Sequence, residues 1–373
     1  MTALLPGISV NRPAPRMSEV LLTAPLLQDM ARRHGLSRIA AVPAESEPQL
    51  EESYRRWIGE GRQGGMTYLS RHTELKYRPR RVLPGTQTLL LFAVSYYRPR
   101  SNSVPKPGWG RVARYAWGRD YHKPLKKRLR SFAAELTERF PGSAARGFVD
   151  SSPLDERYYA ARAGLGFQGR NHALILPGGS WYVLGEILTT LETDWKGFDV
   201  PQEPPPFAAG CPEQCRRCID ACPTGALEPE GGFDARRCLS YLTIEHRGEL
   251  PEELRPALGD RLFGCDTCQE VCPLNRGAEE TGEEDFRRDI AGQELELAPL
   301  LAMRSREEMA ARFAGSPVLR ASRGRLTANA AVVAANRGAE ELLPQLRHLG
   351  EHDPDPAVRA QAEWAAARLL SKN

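Results

Sequence analysis

The sequence lacks long hydrophobic runs and a recognisable export signal. No stretch approaches the roughly 20 consecutive apolar residues that a transmembrane helix needs. The N-terminus has Arg12 and Arg16 but no apolar run that ends in a cleavage site, so we expect no signal peptide. These absences argue against a membrane-spanning or secreted protein and predict a cytoplasmic one.

The chain also lacks a strong excess of charge of either sign. Its formal net charge is +4, from 51 Lys and Arg residues against 47 Asp and Glu residues. The overall charge therefore identifies no class of partner. The 373 residues, 41% of them hydrophobic, are enough for two or three domains with apolar cores.

Cysteine is absent outside residues 211–272, and all eight cysteines lie within that stretch. They form two sets, and each set ends in Cys-x-x-Cys-x-x-x-Cys-Pro. This spacing matches the run of bacterial two-cluster ferredoxins, in which the cysteine before proline ligates the other cluster. The pattern predicts two [4Fe–4S] clusters, one held by Cys211, Cys215, Cys218 and Cys272 and the other by Cys222, Cys238, Cys265 and Cys268.

Zinc and disulfide bonds are the alternative uses of these cysteines. Zinc also binds Cys-x-x-Cys pairs, but it does not explain a third cysteine four residues later and followed by proline, twice. Disulfides need an oxidising compartment, which nothing in the sequence indicates. One feature departs from the ferredoxin pattern, because three residues rather than two separate Cys211 from Cys215.

Apolar periodicity and capping residues predict an α/β region followed by helices. The predicted helices are 18–34 (with Ser18 as its N-cap), 48–60, 123–139, 153–163, 329–336, 340–349 and 356–370. The predicted strands are 39–42, 89–94, 147–150, 173–176 and 181–191. Residues 277–296 are acidic and lack apolar periodicity, which predicts an exposed connection.

Residues 98–130 contain eleven Lys or Arg residues and a single acid, Asp120. The aromatic residues interleaved with them are Trp109, Tyr115, Trp117 and Tyr121. Basic residues neutralise phosphates and aromatic rings stack on bases, so the mixture favours contact with a nucleic acid or another polyanion. A solvated helix face is the other interpretation, since part of the run is predicted to be helical.

The assembled motifs resemble those of the epoxyqueuosine reductases, cobalamin-dependent enzymes that complete queuosine in tRNA. The resemblance covers nearly the whole chain. At His172 the chain departs from the family, which usually has Thr or Cys after the asparagine, and this leaves the role of His172 open. Beside the cysteine sets, the stretches that carry the resemblance are 113–122, 149–157, 163–171, 180–186, 238–245 and 265–275.

The resemblance implies a fold of three parts. These are an α/β (α+β) corrin-binding catalytic domain at 1–196, a ferredoxin-like domain with two [4Fe–4S] clusters at 197–298, and a HEAT-like helical tRNA-binding domain at 299–373. It also implies a two-electron reduction of the epoxide of epoxyqueuosine at the tRNA wobble position, with loss of water. The implied partners are the tRNA anticodon stem-loop and an external low-potential electron donor. We expect a monomer.

The resemblance also implies roles for individual residues. The cobalamin-binding residues would be Lys76, Ala113, Arg114, Tyr115, Asp150, Leu174, Leu176, Ser180, Leu184, Ser240, Asp266 and Thr267. The tRNA-binding residues are expected from charge instead: the basic region 98–130 and the arginine-bearing helices after residue 299 should bind the anticodon stem-loop, with Lys126, Lys127 and Arg323 as the positions to test. The base-off cobalamin motif Asp-x-His-x-x-Gly is absent, because the run that starts Asp120-Tyr121-His122 lacks the glycine. We therefore expect no histidine ligand to cobalt.

Asp150 is the expected proton donor, because the family's motif places this acid above the cobalt. Expelling the epoxide oxygen as water requires protons, and burial is expected to raise the pKa of the carboxyl so that it carries one. The alternative role is N-terminal capping of the helix that Pro153 opens, a common function of aspartate. Ser151 or Ser152 is an equally suitable cap.

Two other functions compete with the reductase. One is a ferredoxin-type electron carrier with appended domains, which would not need the motif at 149–157 or a basic helical tail. The other is a cobalamin-dependent enzyme like the reductive dehalogenases, which typically carry a twin-arginine leader. Here the pair Arg32-Arg33 lies inside a predicted helix rather than in a leader.

Overall fold

The computed structural model describes residues 21–101 and 106–371. Its strands are β1 (Arg38–Pro43), β2 (Thr88–Ser95), β3 (Trp109–Val112), β4 (Ala145–Phe148), β5 (Phe167–Gln168), β6 (Leu174–Ile175), β7 (Tyr182–Thr189), β8 (Arg261–Phe263) and β9 (Glu294–Glu296). Its helices are α1 (Ala24–Arg33), α2 (Pro48–Gly59), α3 (Pro79–Val82), α4 (His122–Arg139), α5 (Glu156–Arg162), α6 (Arg217–Asp220), α7 (Leu239–Ile244), α8 (Thr267–Glu270), α9 (Glu284–Arg287), α10 (Leu297–Leu301), α11 (Arg306–Arg312), α12 (Arg323–Arg337), α13 (Leu343–His352) and α14 (Pro356–Leu370).

The first sheet has four strands in the order β1-β2-β7-β4, and every pairing in it is antiparallel. The central strands β2 and β7 are buried along nearly their whole length, because both faces of the sheet are covered. Helices α1 and α4 pack on one face against alternate residues such as Leu90 and Phe92. Helix α5 packs on the other face against Leu89 and Leu91.

Helix α4 approaches the sheet closely at a glycine. A Cβ atom added to Gly147 on β4 would lie 2.8 Å from the Cβ of Leu129, closer than side chains tolerate. The absence of a side chain there lets α4 pack directly against the edge strand. This contact sets the start of α4, at Tyr121 and His122, close to the loop that follows β4.

A second sheet joins segments that are distant in the sequence. Strand β3 pairs in parallel with β8 and antiparallel with β9. Side chains from β3 and β8 share one hydrophobic core with the helices after residue 297. One strand from the region 1–196 is therefore packed with strands from 197–298, so the predicted boundary at 196 does not separate these segments in space.

The C-terminal helices predicted from the sequence are present. Helix α12 begins at Arg323, six residues before the predicted start, because the Ser322 hydroxyl caps it by accepting a hydrogen bond from the Arg325 amide. Helix α14 begins at Pro356 as predicted, with Asp355 as its N-cap. Both helices pack along one another, and most of α12 is buried.

Arg323 has an internal role that its predicted tRNA contact did not anticipate. Its guanidinium group forms a two-pronged ion pair with Asp353, with distances of 2.6 and 2.9 Å. The Asp353 residue is only 2% exposed. Because the arginine charge already compensates a buried carboxylate, Arg323 has a structural role, and its contact with a phosphate stays a prediction.

Two other predictions need correction. Residues 277–296 are not only an exposed connection, since they contain β9 and the buried side chain of Phe286. The first helix begins at Ala24, where the Thr23 hydroxyl caps it, and the predicted cap Ser18 lies outside the described residues. None of the helices in the described part of the chain combines the length and the apolar character that a lipid bilayer crossing requires.

Candidate active site and cluster-binding loops

A cavity of about 480 Å³ opens between the first sheet and the cysteine-bearing loops. One side is apolar and comes from the β6 and β7 region. The other side carries polar groups from the start of α4, the loop after β4 and the helical C-terminal part. The lining residues are Tyr96, Tyr115, Tyr121, Asp150, Glu156, Arg157, Ala173, Leu174, Leu176, Ser180, Tyr182, Val183, Leu184, Ser240, Gln269 and Arg320.

The cavity collects more than half of the residues that were expected to bind the cofactor. They come from separate elements, namely the turn after β3, the β6 and β7 region, the loop after β4 and helix α7. These residues are Tyr115, Asp150, Leu174, Leu176, Ser180, Leu184 and Ser240. Folding thus brings together positions that are up to 125 residues apart in the chain, from Tyr115 to Ser240.

Four of the other expected residues lie behind the cavity wall. The backbone N–H of Arg114 donates to the Asp266 carboxylate at 2.8 Å, and its guanidinium group lies 3.4 Å from the same carboxylate. The Arg261 side chain donates to the Thr267 hydroxyl. Ala113 is buried against Gly264, at the start of the Cys265 loop. These contacts hold that loop against β3, so the four residues support the cavity from behind and do not line it.

Lys76 is also outside the cavity lining. Its ammonium group lies 4.5 Å from the centre of the Tyr54 ring, which is a cation–π contact. Its backbone carbonyl accepts a hydrogen bond from the Asp155 amide at the start of α5. In this structure Lys76 therefore supports the segment that precedes α5.

Asp150 lies at the cavity wall in the loop that follows β4. Its backbone has a φ of +50°, in the left-handed region that non-glycine residues seldom adopt. The Tyr121 hydroxyl donates a hydrogen bond to its Oδ2, and the His122 Nε2 lies 3.2 Å from the same oxygen. The sequence placed Asp150 at the end of a strand, whereas β4 ends at Phe148.

The pKa of Asp150 differs from the expectation. Burial raises it, but the hydrogen bonds from His122 and Tyr121 and the charge of Arg320 outweigh burial and bring the pKa below its ordinary value. For His122 the opposite holds: burial lowers the pKa, while Asp120 and Asp150 raise it to about 9. The expectation that burial keeps Asp150 protonated is therefore wrong, and the proton of the pair is held on His122.

The capping role considered for Asp150 falls to another residue. Helix α5 begins at Glu156, and its N-cap is Asp155, whose side chain accepts a hydrogen bond from the Tyr158 amide at 3.2 Å. The Ser152 hydroxyl accepts from the Leu154 amide. Because neither contact involves Asp150, its carboxylate faces the Tyr121 and His122 side chains and the cavity.

Arg320 is a cavity residue that sequence reasoning did not place there. It comes from the C-terminal helical part, and its guanidinium carbon lies 5.1 Å from the Tyr121 ring and 5.6 Å from the Tyr115 ring. One of its nitrogens lies 2.7 Å from the His122 Nδ1. The only signal in the sequence was a group of arginines after residue 299, which does not show which of them turns inward.

The cysteines gather in the loops on the far side of the cavity. Cys211, Cys215, Cys218 and Cys272 line one small pocket. Burial raises the pKa of Cys238 to about 11, and the nearby Cys265 and Cys222 contribute to the rise. None of the eight cysteines forms a disulfide bond. Among the described residues, no group of three or more His, Cys, Asp or Glu side chains is spaced for a single metal ion.

Hydrogen bonds connect the cavity to the second cysteine loop. The Gln269 side chain donates to the Ser180 hydroxyl at 3.0 Å, and the Ser180 amide donates to the Asn275 side-chain oxygen at 2.7 Å. Gln269 and Asn275 flank Cys272 in the sequence. The cavity wall and this loop are therefore held as one unit.

His172, whose role the sequence left open, lies away from the cavity lining. Its ring packs between Phe207 and Phe233, with centroid distances of 5.1 and 5.5 Å. Burial lowers its pKa to about 4, so the ring is neutral at physiological pH. His172 therefore has a packing role in this structure.

The basic stretch 98–130 divides into two environments. Trp117 is fully buried, and Arg98, Arg100 and Arg114 all lie against its ring at 5.1 to 5.5 Å. These arginines and Trp117 form a packing cluster, so the Trp117 ring is not available for stacking with bases. The α4 part remains exposed, with Lys126 and Lys127 at its surface.

The exposed part of α4 borders a second groove of about 530 Å³. Lys126 and Arg130 line it from α4, and Arg146 lines it from the edge strand β4. Ser151, the neighbour of Asp150, also lines this groove. A cationic surface thus leads to the loop that carries Asp150.

Two family models match the chain. The model described as "Epoxyqueuosine reductase QueG, DUF1730" matches residues 76–151, and the model described as "4Fe-4S double cluster binding domain" matches residues 211–275. The first match contains Asp150, and the second contains all eight cysteines.

Curated proteins and solved structures named epoxyqueuosine reductase resemble the chain over most of its length. The protein of Xanthomonas campestris is 38% identical and that of Pseudomonas aeruginosa 37%; each match covers 92% of this chain, and 95% and 93% of the respective relative. A crystal structure with an epoxyqueuosine-modified tRNA-Tyr stem loop matches with a TM-score of 0.82 and 30% identity, covering 92% of this chain and 90% of that one. The chain belongs to the epoxyqueuosine reductase family.

Proposed function

We propose that this protein reduces the epoxide of epoxyqueuosine at the wobble position of tRNA and releases the oxygen as water. The observation that carries the proposal is the position of Asp150. Its carboxylate lines a cavity that also contains Ser240 and Gln269 from the cysteine-bearing loops. A proton-transferring group and the electron supply thus meet at one cavity, as a reductive removal of oxygen requires.

Cobalamin is the cofactor that we assign to this cavity, and its residues fit such a group. Leu174, Leu176 and Leu184 form an apolar wall suited to the flank of a corrin ring, while Ser180 and Ser240 provide polar contacts for its amide edge. Neither His122 nitrogen is free for cobalt, because both lie beside carboxylates. When bound, cobalamin supplies a cobalt centre that accepts low-potential electrons and acts as a strong reductant or nucleophile.

The cysteine loops would hold two [4Fe–4S] clusters with the ligands predicted above. Ser240 and Gln269, which line the cavity, lie within two residues of Cys238 and Cys268. The cluster of the second set would therefore lie nearer to the cavity. The other cluster would receive electrons from an external low-potential donor.

Asp150 and His122 would act together on the leaving oxygen. The carboxylate accepts hydrogen bonds from His122 and Tyr121, so one proton is held between these groups near neutral pH. Transfer through Asp150 places that proton in the cavity. Arg320 keeps the Tyr121 ring in position through a cation–π contact.

The remaining assignments belong to the same proposal. Residues 1–196 would form the cobalamin-binding catalytic domain, 197–298 the cluster domain and 299–373 a HEAT-like helical domain, since α12, α13 and α14 pack as successive helices. The anticodon stem-loop would be the partner, and the protein would act as a cytoplasmic monomer. A ferredoxin-type carrier would have no use for the arrangement around Asp150, and the similarity to epoxyqueuosine reductases over 92% of the chain favours a reductase over a dehalogenase.

The proposal is tested with anaerobically purified protein, reconstituted with cobalamin and a strong chemical reductant. We expect it to convert tRNA that contains epoxyqueuosine to tRNA that contains queuosine, measured by mass spectrometry of the digested nucleosides. The visible spectrum should show corrin absorption in addition to the clusters. Clusters without corrin uptake would favour an electron carrier, and corrin uptake without queuosine would contradict the substrate assignment.

Charge reversal on α4 is expected to weaken tRNA binding. In the double variant Lys126→Glu and Lys127→Glu, the affinity for the stem-loop should fall. The slope of log Kd against log salt concentration should decrease by roughly one for each phosphate contact that is lost. Fluorescence anisotropy at several salt concentrations measures both quantities. Both lysines are exposed, so folding should not change.

The matched control reverses two exposed arginines on other helices, Arg32→Glu on α1 and Arg56→Glu on α2, whose ion pairs are with exposed acids. Equal losses of affinity in both double variants would show a general charge effect and would contradict a binding surface on α4. Arg323 is not suitable as a test position, because its loss would leave Asp353 buried without a counter-charge.

A further inference from the structure

Glu156 is a second acid at the same cavity as Asp150. It is the first residue of α5, is half-buried and lines the cavity. Among the described residues, none donates a hydrogen bond to its carboxyl group or forms an ion pair with it within 4 Å. Its surroundings therefore do little to stabilise a negative charge.

The charged neighbours of Glu156 are mostly acids. Asp150, Asp155 and Glu186 all act against its ionisation, and Arg157 is the cation that favours it. The Arg157 guanidinium group is directed elsewhere, since it donates to the His172 carbonyl at 2.9 Å. A carboxyl group among three other carboxyl groups, with no bonded cation, is expected to keep its proton.

Glu186 is a second carboxyl group near Asp150 that resists ionisation, and it is more deeply buried than Glu156. It lies on β7, is 1% exposed, and neither of its carboxyl oxygens meets the geometry of a hydrogen bond to a described residue. Burial raises its pKa to about 7, although the nearby Ser152 hydroxyl opposes the shift. This side of the cavity thus has two carboxyl groups that are hard to ionise, Glu156 at the lining and Glu186 buried near it, whereas Asp150 is easy to ionise.

We propose that Glu156 is a catalytic acid of this site that supplies one of the two protons taken up by the leaving epoxide oxygen. This inference rests on the proposed function. In that reaction two C–O bonds break and one C=C bond forms. A low-potential donor delivers two electrons, one at a time. The oxygen takes up two protons and leaves as water. The Asp150–His122 pair provides one proton and Glu156 the other.

The ionisation of Glu156 agrees with this role. Burial raises its pKa to about 8, and the charges of Asp150 and Glu186 add to the rise. A group with a raised pKa carries its proton below that value and loses it as the pH increases. Glu156 is therefore a proton source near neutral pH and ceases to be one in alkaline solution.

The pH dependence of single-turnover reduction tests the role of Glu156. For the wild type, the rate should fall as the pH rises through about 8. The Glu156→Gln variant should be slower by about a hundredfold near neutral pH, and the fall near pH 8 should disappear. Glu156→Asp should restore part of the rate, and Glu138→Gln, at an exposed glutamate on α4, should match the wild type.

An infrared titration of the cluster-loaded protein, without substrate or cobalamin, tests whether the Glu156 carboxyl group is protonated. The C=O band of a protonated carboxyl group should disappear near pH 8 in the wild type and be missing from Glu156→Gln. A separate carboxyl band is expected to titrate near pH 7 because of Glu186, and the Glu186→Gln variant identifies it. A Glu156 band that titrates at the ordinary glutamate pKa would overturn the assignment of a stored proton.

The two experiments separate this inference from the proposed function. A wild-type protein that leaves epoxyqueuosine unchanged would overturn the function, and with it the destination of the proton. Normal wild-type turnover with an unchanged rate and pH profile in Glu156→Gln would overturn only the catalytic role. If the variant lost its clusters or its cobalamin spectrum along with its rate, the glutamate would be structural and the inference wrong.

Discussion

Asp150→Asn is expected to lower the single-turnover rate of epoxyqueuosine reduction by about a hundredfold or more. Asparagine has the shape of aspartate, but it carries no negative charge to hold the His122 proton and cannot pass a proton to the leaving oxygen. The clusters, cobalamin binding and tRNA affinity should remain, because Asp150 is not the cap of α5. Rapid-quench kinetics with nucleoside analysis measures the rate.

Two further variants separate proton transfer from positioning. Tyr121→Phe removes one hydrogen bond to Asp150 and leaves the ring that Arg320 contacts, so we expect a smaller loss of rate. Asp29→Asn on α1 removes only exposed ion pairs and should have no effect. A near-normal rate in Asp150→Asn would refute the assignment, and loss of cobalamin binding would indicate a structural role instead.

Cys222→Ala is expected to abolish turnover by removing a ligand from the cluster nearer to the cavity. Although Cys222 follows Cys215 and Cys218 in the sequence, the pattern assigns it to the second cluster. The charges of Cys222 and Cys265 both act on the half-buried Cys238, so these three thiols lie near one another. Iron analysis should fall from about eight atoms per chain towards about four.

The spectroscopic signature decides between the two pairings. Electron paramagnetic resonance of the reduced Cys222→Ala protein should lose the cluster that involves Cys265 and Cys268. The matched variant Cys211→Ala should instead affect the cluster in the pocket formed with Cys215, Cys218 and Cys272. If Cys222→Ala left the second cluster unchanged, the crossed pairing would be wrong.

Local sequence patterns predicted those features that depend on neighbouring residues. Two cysteine runs with a fixed spacing need only a short loop to direct their thiols, so the cluster-binding region was readable directly. The three C-terminal helices were likewise predicted, because apolar periodicity and the Asp355-Pro356 start of α14 act within one or two turns. Their ends differ by a few residues where a cap such as Ser322 extends the helix.

Composition was misleading where charges are compensated by distant residues. The run 98–130 appears uniformly basic and aromatic, yet Arg114 pairs with Asp266 and Trp117 is buried. Arg323 looked unpaired in the sequence, but its guanidinium group neutralises the buried Asp353. Residues 277–296 look like a polar connection, but β9 needs only three residues and gains its stability from pairing with β3. A composition window contains no information about such partners.

The sequence by itself indicated the family, and it predicted the cysteine ligands and Asp150 from motifs that are residue types at fixed spacing. Only the tertiary structure decided how Asp150 ionises. The groups that control its pKa come from α4 and from Arg320, 170 positions away in the chain. The tertiary structure also showed that Glu156 faces the same cavity without a counter-charge. Ionisation depends on distances in space and on burial, and neither follows from the order of residues until the chain has folded.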